Sequence, residues 1–272
     1  MFLDLSKAFD TIDHRILIYK LKKYGIRGSA LSFFQNYLSN RKQYVALDSN
    51  NSCKTSVTCG VPQGSILGPL LFLLYVNDLT RSSRILTFIL FADDTNIFLS
   101  HKCLDTLVDI LNLELRKVSS WFKCNKLSLN IDKTCFIHFK NPQSQSNCKN
   151  IFIDDIPIVQ KESTKFLGVT LDSSLSWTEQ TRNITTTLSK VIGILYKLKN
   201  ILPQKTLIML YNALVLPHIN YCNIVWANCN KTKLNSILLL QKRALRICTN
   251  SHYLSHADPL FKQIKTQNSQ ST

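Results

Sequence analysis

Acidic residues are scarce in this chain. Its 272 residues carry 17 Asp and Glu against 33 Lys and Arg, a net charge of +16, so its surface suits polyanions better than acidic or neutral proteins. Nucleic acid is the leading partner. Long apolar runs are missing as well: those around Leu70 to Val76 and Ile85 to Ala92 fall far short of the roughly 20 residues a membrane span needs. No membrane partner is therefore expected. The first residues, "MFLDLSKAFD", lack the basic segment and cleavage region of a signal peptide, which points to a nuclear or cytoplasmic protein that is not secreted. No C-x-x-C pair occurs among the nine cysteines, whose odd number fits reduced, mostly buried thiols rather than a disulfide framework. One spacing stands apart. Cys248, His252 and His256 fall at i, i+4 and i+8, which one helix face could present to a metal, the competing reading being helix-end and turn packing. There is no internal repeat, and low complexity is confined to "NPQSQSN", read as a loop, and "KTQNSQST", read as a disordered tail.

What is present is enough for a core, since 45% of the residues are hydrophobic and 10% aromatic. Two parts follow from the periodicities. The first, to about Asp172, mixes short strand-like runs with helices. "MFLDL" reads as a strand ending at Asp4, followed by a helix entered through Asp10 and Thr11 with Asp13 in its first turn. "GSALSFFQNYLSN" is a second helix, and "KQYVALDS" and "KTSVTCGV" read as a strand pair joined by a turn at Asn50 and Asn51. "GPLLFLLYVNDLT" puts Pro69 at the favoured first position of a buried helix. "CLDTLVDILNLELRKVSSWFKCNKL" is the clearest amphipathic helix, and "TCFIHF", "NIFIDD" and "TKFLGVTLD" complete the strands. The second part repeats apolar residues at helical spacing and is a helical module. It also carries the stronger field: residues 161 to 272 hold 14 basic and 4 acidic groups, against 19 and 13 in residues 1 to 160.

The chemistry is concentrated in "LFADDTNIFL". Adjacent strand residues point to opposite faces, so Asp93 and Asp94 share one site only where the strand turns back on itself, and the apolar runs on either side put them there. Asp is also a common turn residue, which is the plainer reading of the pair taken alone. Asp4 ends another apolar strand. If the strands are neighbours, three carboxylates converge, and bare acids so placed would repel one another and raise one another's pKa values. Such a cluster makes sense chiefly as a cage for a hard divalent cation. Two Mg²⁺ ions about 3.5 to 4 Å apart could serve phosphoryl transfer there.

Taken in order and spacing, "FLDLSKAFDTIDH", "GVPQGSILGPLLFLLYVNDL", "FADDTNIF", "NKLSLNIDKT" and "FLGVTLD" resemble the successive palm motifs of reverse transcriptases. The likeness is greatest to LINE-like, non-long-terminal-repeat retrotransposons of the jockey and chicken-repeat kind. "LYNALVLPHINYCNIVW", "LQKRALRI" and "HADPLF" resemble the thumb and following segment of the same elements, so the resemblance extends to about Phe261. The fold it implies is α+β: a right-hand polymerase palm, its antiparallel sheet backed by helices, over residues 1 to 172, with partial fingers at 25 to 60. An α-helical thumb at 173 to 250 and a C-terminal segment at 251 to 272 follow.

The resemblance also implies roles. Asp4 and Asp93 would hold two Mg²⁺ ions, or Mn²⁺, with Asp94 in support and the Leu5 carbonyl as a further ligand. Phe9 matches the steric gate that disfavours a ribose 2′-hydroxyl; a core Phe is the alternative. Gln63, with Gly64 in the same Gly-rich loop, matches the nucleotide contact, and Gly60, Gly64 and Gly68 suit close backbone approach, or a plain helix-leading loop. Lys133 matches a lysine that gives a proton to departing pyrophosphate, or is a solvated charge. Phe166, Leu167 and Gly168 match the primer grip, although a hairpin with a buried Phe has the same sequence. Asp10, Asp13 and His14 read as helix caps, and Trp121, Trp177 and Trp226 as packing residues. The implied partners are an RNA template, a DNA primer paired to it as an RNA–DNA hybrid, and dNTPs, with the oligomeric state left open.

In such elements a fingers segment precedes the first motif and an endonuclease domain lies further upstream, so the chain is expected to be a fragment. "IKTQNSQST" reads as premature termination or a run into unrelated sequence. Two classes of function remain: an RNA-directed DNA polymerase module, or a silent remnant that only binds nucleic acid. Other palm-fold enzymes such as nucleotide cyclases share the metal geometry, but the Gly-rich loop and helical second part favour a polymerase.

Overall fold

The structure is a computed structural model that describes residues 1–48, 50–140 and 150–262. The two low-complexity stretches read as a loop and a tail lie outside the described residues. In chain order the elements are β1 (Phe2–Leu3), α1 (His14–Lys23), α2 (Gly28–Leu38), β2 (Lys42–Gln43), β3 (Ala46–Leu47), β4 (Asn50–Asn51), β5 (Thr55–Ser56), α3 (Leu67–Val76), β6 (Thr87–Phe91), β7 (Asp94–Phe98), α4 (Leu104–Cys124), β8 (Cys135–Phe136), β9 (Phe152–Ile153), β10 (Ile156–Pro157) and β11 (Val159–Gln160). There follow β12 (Ser163–Phe166), β13 (Val169–Asp172), α5 (Thr178–Leu198), α6 (Gln204–Leu214), α7 (Leu216–Asn220), α8 (Asn223–Trp226) and α9 (Lys231–Cys248). The fold is mixed α+β, its strand pairs mostly antiparallel.

Contacts divide the chain into two compact units: Met1–His138 with Gln145–Lys161, and Phe139–Ser144 with Glu162–Thr272. The hairpin of β12 and β13 therefore groups with the helices that follow it. The first unit is built on a five-stranded sheet in the order β11-β8-β1-β7-β6, antiparallel except for β11 against β8. β1 alternates as a half-covered strand should: Met1, Leu3 and Leu5 are buried, while Phe2 and Asp4 on the other face are only partly so. Behind the sheet α4 buries Val108, Leu111, Leu115, Val118 and Phe122, spaced by three, four, three and four residues along one helical stripe. α3 is apolar on nearly every side, and Leu71, Phe72, Tyr75 and Val76 are in the same core.

The second unit has its own core. α5 contributes Ile184, Leu188, Ile192 and Leu195, α6 Leu207, Ile208 and Tyr211, and α9 Ile237, Ala244, Leu245 and Cys248, with Trp226 buried among them. The Trp226 indole N–H donates to the Tyr221 carbonyl at 2.8 Å, so this tryptophan is a packing residue as read.

Three local expectations are corrected. α1 starts after Asp13, which caps it by accepting from the Arg15 and Ile16 amides at 2.9 and 3.1 Å, because residues 7 to 11 close a separate turn, Asp10 N–H to Lys7 carbonyl. Asn50 and Asn51 are strand residues opposite Leu47 and Ala46, so the reversal precedes them. Pro69 is the third residue of α3, where it still sacrifices no intrahelical donor. Of the two readings of Cys248, His252 and His256, helix-end and turn packing fits: α9 ends at Cys248, which is buried, and both histidines lie beyond it, exposed. No helix among the described residues is long and apolar enough to cross a membrane.

Candidate active site

β6 and β7 form a hairpin in which Phe91 pairs with Asp94, leaving Ala92 and Asp93 as its two-residue turn. Ala92 adopts φ +51°, a left-handed conformation that an alanine takes only against a penalty on the order of 1 kcal/mol. The strained turn lifts Asp93 and Asp94 to the sheet's end, both exposed. β1 lies beside β7, Phe2 opposite Asn96 and Leu3 opposite Thr95, and the same register carries Asp4 to the level of Asp94. Burial, then the charges of Asp93 and Asp4, push the Asp94 carboxyl above the ordinary range. All three acids thus bear on one place. As their side chains stand, they are not drawn together into a cage: among the described residues no group of three or more His, Cys, Asp or Glu could hold a metal ion. The donor set itself, three carboxylates in mutual repulsion at a partly open edge, is of the hard-oxygen kind that Mg²⁺ or Mn²⁺ takes.

Asp4 is gripped from the other side by the segment "LSLNIDKT". Its amide donates to Thr134 Oγ1 at 3.3 Å and its carbonyl accepts from the Asn130 amide at 2.8 Å, while Ser6 N–H reaches the Ser128 carbonyl at 2.8 Å. Leu5 bridges Leu129 through these flanking bonds, which leaves the Leu5 carbonyl outside them. Lys133 sits exposed in the turn that follows, its amide donating to Asn130 Oδ1 at 3.3 Å. The turn carrying Lys133 is therefore tied directly to the backbone of Asp4.

The Gly-rich loop docks on residues 9 to 14. Val61 N–H donates to the Phe9 carbonyl at 2.9 Å, Gly60 N–H to the Ile12 carbonyl at 2.8 Å, and His14 Nε2 lies 2.7 Å from the Gly60 carbonyl. Gly60, at φ +84°, passes so close to Asp10 that a β-carbon would stand 2.8 Å from the Asp10 carbonyl oxygen. Gln63 Nε2 donates to Asp10 Oδ1 at 2.9 Å, and Gly64 lies in open space. The Phe9 ring, half-buried, rests on Phe72 at 4.7 Å between centroids. Phe9, Gln63 and Gly64 are thus joined through one docked loop five residues beyond Asp4.

Phe166, Leu167 and Gly168 belong to the second unit. Leu167 and Gly168, at φ +44° and +83°, form the tight turn of the β12–β13 hairpin. Tyr221 pins that turn, its hydroxyl donating to the Leu167 carbonyl at 2.7 Å and its ring lying where a Gly168 β-carbon would approach to 3.0 Å. An open cavity of about 590 Å³ adjoins it, lined among others by Lys165, Asn183, Thr187 and His218.

Several of these partners escape sequence reasoning. Tyr221 lies some 50 residues from the turn it holds. Asp13 pairs with Lys126 at 2.6 Å across 113 positions. Lys20 of α1 is buried with its Nζ 2.6 Å from both the Tyr75 carbonyl and Asp78 and close over the rings of Tyr75 and Trp121. Only the i, i+3, i+4 pattern of α1, which puts position 20 beside the buried Leu17 and Leu21, hinted at it.

Residues 1–171 match the family model described as reverse transcriptase (RNA-dependent DNA polymerase). Similar proteins include the probable RNA-directed DNA polymerase from transposon X-element of Drosophila melanogaster, 26% identical over 97% of this chain and 30% of that protein. The RNA-directed DNA polymerase from mobile element jockey of Drosophila funebris is 27% identical over 90% of this chain and 28% of its own length, and the probable enzyme from transposon BS of Drosophila melanogaster 27% over 97% and 30%. The chain spans about 30% of the length of these relatives. With well over half of its residues inside the family match, the chain belongs to the reverse transcriptase family.

Proposed function

We propose that this chain is the polymerising module of a non-long-terminal-repeat retrotransposon protein, extending a DNA primer on an RNA template. The observation that carries the reading is the placing of Asp4, Asp93 and Asp94 at neighbouring strand ends, where burial and then the charges of the other two raise the Asp94 carboxyl above its ordinary value. The first unit acts as palm with part of the fingers, and the helical second unit as thumb. Asp4 and Asp93, with Asp94 beside them and the Leu5 carbonyl as a further oxygen, would hold two Mg²⁺ ions or Mn²⁺. Bound there, the ions would supply activation of a primer 3′-hydroxyl toward the α-phosphate of a dNTP and stabilisation of the leaving pyrophosphate oxygen.

The chain's own groups orient the reactants. Phe9, kept in place by Phe72 and by the loop bond to its carbonyl, lies under the sugar and excludes a 2′-hydroxyl. Gln63 and the open Gly64 receive the nucleotide, where absence of a side chain at 64 lets the backbone approach. Lys133 delivers a proton to the departing pyrophosphate, which its tether to Asp4 through Asn130 supports. Phe166, Leu167 and Gly168 position the primer end, made rigid by Tyr221. The +10 helical region grips hybrid phosphates, giving sequence-tolerant, salt-sensitive binding.

Primer extension on an RNA template with dNTPs and Mg²⁺ tests the proposal. Extension by the parent chain, lost in Asp93→Asn with hybrid binding intact, is expected. Undiminished synthesis by Asp93→Asn refutes the site, and no extension by either refutes activity for this stretch of chain alone.

A further inference from the structure

The two helices that follow the first motif form a groove of about 470 Å³ in the first unit, lined from α1 by Arg15, Tyr19 and Lys22 and from α2 by Leu31, Gln35 and Leu38. None of the roles above uses it. Between His14 and Leu47 the chain contains no acidic residue, and seven Lys or Arg. Lys20 alone of these is buried and ion-paired; Arg15, Lys22, Lys23, Arg27, Arg41 and Lys42 are exposed. No carboxylate of this stretch competes for them.

The aromatic side chains are placed as distinctively as the charges. Tyr19 is 60% exposed, with Lys23 Nζ 5.4 Å from its ring centre. α2 has no charged residue at all, and it exposes Phe33, whose ring stacks on Tyr37 at 6.2 Å beneath the Arg41 guanidinium. A helix so poor in charge beside one so rich in cations is a surface of stacking faces bordered by phosphate ligands. That is the combination by which single-stranded nucleic acids are held without sequence preference. Arg15 and Lys22, seven residues apart on α1, stand roughly 10 Å apart along its axis and can take phosphates on either side of a base laid on Tyr19.

We propose that the α1–α2 groove is a binding site for single-stranded RNA, formed by residues of the first unit other than the acids. The choice of RNA rests on the polymerase reading, because an RNA template is the single strand such a protein handles. The groove's charge and stacking faces do not depend on it.

Fluorescence anisotropy of a labelled single-stranded RNA with the full 272-residue chain, read across salt concentrations, provides the test. Arg15→Gln with Lys22→Gln, both at exposed positions, is expected to lower affinity about tenfold and to flatten the slope of log K against log salt by about 1.4, two phosphates at roughly 0.7 each. Tyr19→Ala is expected to lose about tenfold with the slope unchanged, since stacking carries no counterion release. Thiouridine crosslinking should map to residues 14–39. Circular dichroism verifies that each variant is folded. Unchanged affinity and slope, crosslinks elsewhere alone, equal losses on single-stranded DNA and duplex, or no RNA binding by the parent overturns the proposal. Asp93→Asn separates the two readings: groove variants that bind normally while Asp93→Asn kills synthesis refute the groove alone, whereas lost RNA binding with undiminished Asp93→Asn synthesis refutes the catalytic assignment alone.

Discussion

Asp172 ends β13 and begins the path into α5, and its carboxylate accepts from three amides and two hydroxyls of the connecting turn. Oδ1 accepts from Ser174 N–H at 3.2 Å, Ser174 Oγ at 2.8 Å and Ser176 N–H at 2.8 Å; Oδ2 accepts from Trp177 N–H at 2.8 Å and Ser176 Oγ at 3.3 Å. The residue is only 9% exposed, so water replaces little of this when it is lost. Hydrogen bonds to a charged acceptor contribute about 1.5 to 3 kcal/mol each. Asp172→Asn keeps one carbonyl oxygen but turns an amide toward Trp177 N–H, and should cost about 2 kcal/mol. Asp172→Ala removes the acceptor of all five donors, of which Ser176 Oγ keeps Thr178 Oγ1 at 2.7 Å; partial rehydration keeps the loss below their sum, at about 3 to 4 kcal/mol. In a unit of this size that lowers its melting temperature by on the order of 10 °C. The pH dependence identifies the cause. Burial pushes the Asp172 carboxyl up, but the bonds from Ser176, Ser174 and Trp177 together hold it below its ordinary value. A carboxylate depressed in the fold contributes stability above its unfolded pKa of about 4 and loses it as pH falls through the folded value. The gap between parent and Asp172→Ala should therefore be full at pH 7 and narrow below about pH 4. Urea titrations of both chains, with hydrogen exchange read over α5, measure it; a gap that stays constant down to pH 2, or one under about 1 kcal/mol at pH 7, would show that the carboxylate is not what holds this turn.

Gly60 and Gly64 have nearly the same φ, +84° and +82°, yet only Gly60 abuts Asp10, so Gly64→Ala should cost about 1 kcal/mol and Gly60→Ala about 3, with primer extension falling further in Gly60→Ala because Phe9 and Asp10 move. Equal losses in urea unfolding would contradict that. Asp78→Ala strands the buried Lys20 ammonium, which burial already drives toward the neutral form, and should cost about 2 to 4 kcal/mol, whereas Lys20→Met with Asp78→Ala should recover part of it. Asp94, raised by burial and by Asp93 and Asp4, binds its proton more tightly in the metal-free fold than in the unfolded chain, so stability should be gained as pH falls through the raised value and lost as pH rises through it. Accordingly Asp93→Asn should stabilise the protein in a chelator by about 0.5 kcal/mol and weaken the rise in melting temperature expected of the parent in Mg²⁺, an unaltered Mg²⁺ response counting against a shared cation site.

Strand ends and loops around the acids were legible because their chemistry is local. A Gly-rich loop, an acid closing an apolar run and a pair of acids between two such runs each announce a turn or an edge, and β1, β6, β7 and the β12–β13 hairpin lie where those patterns put them. Helix α4 was legible for a similar reason, since its stripe repeats over 21 residues. The starts of α1 and α3 were misjudged by a few residues, because Asp10 and Asp13 are equally good caps in isolation and only the turn from Lys7 selects between them.

The groups that could not be read are those whose state depends on a distant partner. Lys20 looks like any surface lysine until Tyr75 and Asp78 close over it; Asp172 looks like a strand-ending acid until three serine and tryptophan amides turn back on it. Both are polar groups made tolerable in a core by complete hydrogen bonding, a property of the assembled fold rather than of any window of sequence. The acids at the strand ends are the reverse case. Burial and the charges of Asp93 and Asp4 both oppose ionisation of Asp94, a local penalty that hydrogen bonding elsewhere in the unit does not relieve. A fold that closes Lys20, Asp13 and Asp172 into complete pairs and turns while leaving three carboxylates in conflict at one sheet edge has placed that conflict where a ligand can resolve it.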